Sequence, residues 1–142
     1  MTIELGECVL HRNPQDGPSI AGIEGMVLQS SGPHIHAVNV GFHDSQMRGR
    51  AALIQTGWNG EKESPYLSED LVFRLIRSGA RVVGADFYIA EPALSTLLGG
   101  NIVVIDRVRN LPALPRVGFR LNAIPSSDSR GRVFAETMTN DN

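Results

Sequence analysis

Three short apolar runs constrain this chain more than any other feature: "AALIQ" at 51–55, "ARVVGAD" at 80–86 and "NIVVID" at 101–106. Each is long enough for a strand and too short for a helix, and each is apolar without alternation, the pattern of a strand covered on both faces. What separates them is helical. Ser68 can cap a helix whose first turn carries Glu69 and Asp70 at its positive end, whose later turns carry Arg74 and Arg77, and which stops at Gly79. Leu71, Val72, Leu75 and Ile76 share one face of it, so it packs on a sheet. "EPALSTLLGG" gives a second, shorter helix, opened by Pro92 and closed by glycine. Strand, helix, strand, helix, strand with short connections predicts a parallel βαβαβ core in an α/β domain.

The flanks add strands. "GECVLHR", "GIEGMVLQ" and "HIHAVNVGF" are Gly-bounded and rich in strand formers, while "GFRLNAIP" and "GRVFAETM" surround the turn "SSDSRG". "RNLPALP" reads as a proline-punctuated loop, and the tail "TNDN" as a frayed end. The 142 residues suit one domain, 1–142, without an internal repeat or linker. A formal charge of -2 with scattered arginines offers no basic stripe for a run of phosphates, so nucleic acid is not an expected partner. No apolar run approaches a membrane span, and "MTIELGECVL" lacks the order of a signal peptide, which predicts a cytoplasmic protein with no membrane partner. The single cysteine, Cys8, excludes an internal disulfide and reads as a small core residue.

Chemistry concentrates in "SSGPHIHAVNV", residues 30–40. Alternation along a strand puts His34 and His36 on one face, where two imidazoles can hold one ion at about 2.0–2.1 Å. His43 and Asp44 follow closely and suit a base and its orienting carboxylate. Against this stands the plain reading of a short His-x-His pair as two solvated histidines on a strand. Asp86, at the end of a predicted parallel strand, lies where open α/β sheets place ligand groups, and equally suits a capping or salt-bridge role. The glycines of "LLGGN" and "GPSIAGIEG" lack phosphate-loop spacing, and Ser30, Ser31, Ser126 and Ser127 lie in turn contexts without a nucleophile elbow.

Four blocks, "ALIQTGW", "YLSEDLVFRLIRSGARVVGAD", "LLGGNIVVID" and "NLPALPRVGFRLNAIP", come in the order and spacing of the cyclase family, which includes kynurenine formamidases and isatin hydrolase. The resemblance runs from about Gly32 to Ala135 and implies a swivelling β/β/α fold, a homodimer or higher oligomer, and a divalent metal such as zinc or manganese that hydrolyses an amide or lactam. The family's metal motif, His-x-Gly-Thr-His-x-Asp followed by Pro and His, is altered in this chain. Ser30 stands at the first His, His34 keeps the second, His36 replaces the Asp, and Val38 and Val40 replace the later Pro and His. A further His and Glu of the family fall on Leu94 and Asp106. The resemblance thus implies His34, His36 and Asp106 as metal ligands, three being the number a catalytic site needs beside an open position. It also places Trp58 of the TGW turn, otherwise a packing residue, and Ser30 beside a small-molecule substrate. The segment between the motif and the TGW strand is shorter than the family's, which removes part of the pocket wall.

The reading is a reduced cyclase-like domain acting on a small amide, lactam or related carbonyl compound. Its alternatives are a metal-free relative that binds a small molecule or dimerises, and a metal-independent acid/base cyclase. A shortened chain with an apolar second half leaves a face that a second copy would bury. Sedimentation at micromolar concentration is expected to give a homodimer, and a monomer there would refute it.

Overall fold

Residues 51–54, 82–85 and 103–106 are buried along their whole length, and backbone pairing aligns them in parallel. The computed structural model describes residues 1–12, 20–30, 34–35, 40–61, 63–126 and 129–138. In chain order the elements are β1 (Thr2–His11), β2 (Ile20–Gln29), β3 (His34–Ile35), α1 (Asp44–Met47), β4 (Ala51–Gln55), β5 (Tyr66–Leu67), α2 (Glu69–Ser78), β6 (Val82–Ala85), α3 (Ala93–Gly99), β7 (Val103–Asp106), β8 (Phe119–Pro125) and β9 (Arg130–Thr137), with one 3-10 turn at Leu111–Ala113. The architecture is mixed α/β.

Seven strands close into a barrel in the order β1, β7, β6, β4, β2, β8, β9. β2, β4, β6 and β7 run parallel to their neighbours in that order, and β1, β8 and β9 pair antiparallel. Alternation divides each parallel strand between two cores. Ala51, Leu53, Val82, Val103 and Ile105 point into the barrel, where they meet Leu5, Leu10, Phe119, Leu121 and Val133. Ala52, Ile54, Val83, Ala85 and Val104 point outward onto Leu71, Val72 and Leu75 of α2 and Ala93 and Leu97 of α3. Ile35 and Leu67 of the small parallel sheet β3–β5 join this outer layer.

α2 ends as its sequence implies: Gly79 adopts φ 84° and its N–H closes on the carbonyls of Ile76 and Leu75. Its start differs. The Ser68 hydroxyl makes no cap; it donates to the carbonyl of Ile35 at 2.8 Å and contacts the Asp70 carboxylate, tying the helix to β3. Of the "HIHAVNVGF" expectation, His34–Ile35 is strand, residues 36–39 lie outside the described residues, and Val40–Phe42 are not strand; Asp44–Met47, just after it, is helical with Met47 fully buried. "RNLPALP" contains the 3-10 turn, and the tail 139–142 lies outside the described residues.

The barrel interior is tight enough to demand glycine where strands cross closely. A Cβ on Gly131 would lie 2.5 Å from Leu10 Cδ1, 2.8 Å from the carbonyl oxygen of Ile124 and 3.1 Å from Pro125 Cα. Two of these neighbours are backbone and cannot rotate away. Gly131→Ala is therefore expected to destabilise the fold by about 1–3 kcal/mol, read as a lower urea midpoint at unchanged slope.

Candidate functional site

Register builds the first polar cluster. β1 pairs antiparallel with β7 so that Val9 lies opposite Asp106 and His11 opposite Val104. His11 and Asp106 are thus diagonal neighbours on the face that Val104 turns to the helical layer. Their contact is direct: His11 Nε2 lies 2.8 Å from Asp106 Oδ2. The other carboxylate oxygen, Oδ1, accepts the backbone N–H of Ile89 at 2.8 Å. Asp106 is buried, and His11 keeps about a quarter of its side chain in solvent. In the tautomer that carries its proton on Nε2, His11 donates to Asp106 and Nδ1 is the acceptor nitrogen. Glu91 lies nearby. The Ser95 hydroxyl and N–H hold its carboxyl below the ordinary range, and the charge of His11 adds to this.

A second carboxylate shapes the end of the barrel. Asp86 follows β6 and accepts three hydrogen bonds, from Thr56 N–H at 2.8 Å, Thr56 Oγ1 at 2.7 Å and Gly57 N–H at 2.8 Å. It clamps the TGW turn, which settles for capping between the roles that the sequence left open. Beyond this clamp lies a cleft of about 310 Å³, bounded by Trp58, Asp86, Arg107, Arg109 and Leu111. It sits past the carboxyl ends of β4, β6 and β7, where open α/β sheets place ligands.

His43 and Asp44 are at the start of α1. His43 lines a separate cleft of about 530 Å³ with Phe42 and Arg116, and its N–H meets Gln46 Oε1 at 3.4 Å. The Asp44 carboxylate pairs with Arg74 Nε at 2.9 Å, and among the described residues no contact joins it to the His43 ring. Ser30 follows β2, its N–H donating to the carbonyl of Gln55, and among the described residues its buried hydroxyl has no hydrogen-bond partner. Trp58 packs on the outer core. His34 pairs along β3 with Tyr66 of β5, and His36 lies outside the described residues. Among the described residues no group of three His, Cys, Asp or Glu is placed to hold a metal.

In the sequence His11 is one residue of a strand, and its one signal is its place at the polar end of an apolar segment; the partner, 95 positions away, comes from the β1–β7 register.

No family profile and no curated protein sequence matches the chain. Solved structures do share its fold. An isatin hydrolase bound to the product analogue thioisatinate is 18% identical, with a TM-score of 0.62 over 80% of this chain and 59% of that one. Isatin hydrolase A from Ralstonia solanacearum is 16% identical, with a TM-score of 0.63 over 87% of this chain and 61% of that one. A predicted metal-dependent hydrolase from Bacillus stearothermophilus is 18% identical, with a TM-score of 0.60 over 80% and 63%. The chain thus spans about three fifths of the length of these structures. No helix among the described residues is long and apolar enough to cross a membrane.

Cys8 faces the barrel interior, where burial pushes its thiol up to about 12 from 9.0. A neutral thiol is a poor nucleophile, so native Cys8 should resist thiol-reactive disulfides at pH 8. Above pH 9 the unfolded chain loses this proton while the folded chain keeps it, so stability falls as pH rises from 9 towards 12. Denaturation of Cys8→Ala over that range should lack this component.

Proposed function

We propose that the chain is a hydrolase or cyclase acting on a small amide, lactam or related carbonyl compound, of the cyclase-like type. The observation that carries this reading is the fold, shared over 80% or more of the chain with isatin hydrolases and a predicted metal-dependent hydrolase. The finer proposal assigns a divalent metal, zinc or manganese, to His34, His36 and Asp106, proton transfer to His43 with Asp44, and substrate contacts to Ser30 and Trp58. It includes a homodimer in the cytoplasm.

Two features of the chain bear on the metal. A carboxylate offers about four lone-pair sites, so the bonds from His11 and Ile89 leave acceptor capacity on Asp106. The buried Ser30 hydroxyl, at the position of the family's first His, lacks a partner among the described residues. A bound divalent ion would supply a water of lowered pKa and a polarised carbonyl. The chain's own part is to fix Asp106 through His11 and Ile89, and to present Ser30 and the Asp86-clamped TGW turn at the ends of β2 and β4.

The 2.8 Å contact between His11 and Asp106 favours a second, metal-independent reading. In it, His11 Nδ1 takes a proton from water as the water oxygen bonds to the carbonyl carbon. The C–N bond then breaks and the imidazolium returns the proton to the leaving nitrogen, with Asp106 stabilising the charged ring.

Metal content and turnover separate the two. Elemental analysis after loading with zinc or manganese and dialysis is expected to give about one ion per chain, lost in the His34→Ala, His36→Ala double variant. Hydrolysis of isatin and of N-formyl anilides should then fall with chelation. Activity that survives chelation and drops at least about 100-fold in His11→Gln would instead establish the acid–base reading. Neither metal nor turnover would leave a protein that kept the fold without the chemistry.

A further inference from the structure

We propose that the cleft at the barrel end binds a small aromatic carboxylate, with Arg109 as its anchor. The cleft shares Trp58 with the hydrolase reading but does not rest on it, because binding there requires neither metal nor turnover.

Charge and shape together select this ligand. The cleft is bounded by two arginines and one carboxylate, and that carboxylate is already satisfied by three donors from Thr56 and Gly57. The residual field is positive, and a concave, partly apolar wall focuses it. Arg107 is held aside: its Nη1 lies 3.1 Å from the Tyr88 hydroxyl and its guanidinium 5.2 Å from the Tyr88 ring centroid. The guanidinium of Arg109 makes no hydrogen bond or ion pair among the described residues, so its five donors are available to a ligand.

Arg109 is nonetheless positioned. Its N–H donates to the carbonyl of Leu5 at 2.9 Å, and its stem lies across Gly6, where a Cβ would come within 3.4 Å of Arg109 Cδ. Gly6 takes φ 98° at the irregularity of β1, so the barrel's own backbone seats the arginine. Guanidinium matches a carboxylate with two parallel bonds. Trp58, Val108, Leu111 and Pro112 supply an apolar wall, and about 310 Å³ is at the small end of ligand sites, which fits one ring bearing a carboxylate. That wall favours an aromatic acid over inorganic phosphate.

The chain has a single tryptophan, Trp58, and it lines this cleft, so intrinsic fluorescence reports the site directly. Titration with sodium benzoate at millimolar levels is expected to change Trp58 emission saturably, whereas benzamide, of the same shape without the charge, should not. Arg109→Gln should weaken benzoate binding about tenfold or more, with Arg109→Lys in between and circular dichroism confirming that both variants fold. No saturable change, equal binding of benzamide, equal binding of phosphate, or unaltered affinity in folded Arg109→Gln would each overturn the assignment. Because no turnover is read, failure here leaves the hydrolase reading standing, and an inactive protein that binds benzoate through Arg109 sustains this one.

Discussion

β1 hydrogen-bonds to β7 along one edge and to β9 along the other, and without it the parallel strands would end in an open edge. Closure is what turns a layered sheet into a barrel and removes unpaired backbone groups at the margin. It also makes the polar cluster. Asp106 is buried at the end of β7 only because β1 delivers His11 to it and the segment after β6 delivers the Ile89 N–H. A buried carboxylate without such partners would carry a desolvation penalty of several kcal/mol. The arginine of the neighbouring cleft depends on the same strand, through Leu5 and Gly6.

The two carboxylates at the strand ends divide their labour. Asp86 spends its acceptor capacity inside the chain, on the turn that carries Trp58. Asp106 joins two strands and a loop, and through His11 it reaches solvent. One is therefore a fixture of the scaffold, while the other is bonded to a partly exposed imidazole.

Much of the helical layer was legible in the residues. The apolar runs of β4, β6 and β7 announce burial on both faces, and Ser68 through Gly79 mark α2 to within a residue. Barrel closure was not, because it depends on β1 pairing with strands about a hundred positions away and on the shift at Gly6, neither of which leaves a local trace. The site divides along the same line. Asp106, Trp58 and Ser30 stand out at the ends of recognisable strands. His11 does not, since its partner is set by register alone, and Asp44, next to His43 in sequence, turns to Arg74 instead.

The alternation that gives β4 two faces has a consequence for how such a chain can change length. Ala51 and Leu53 fill the barrel while Ala52 and Ile54 support the helices, so one strand is read twice, out of phase. Inserting or deleting a single residue within it would exchange the two sets and spoil both cores at once. Gains and losses of sequence are thereby confined to the connections. A lineage with this barrel can trim the loops that define what it binds while its scaffold stays the same length, strand by strand.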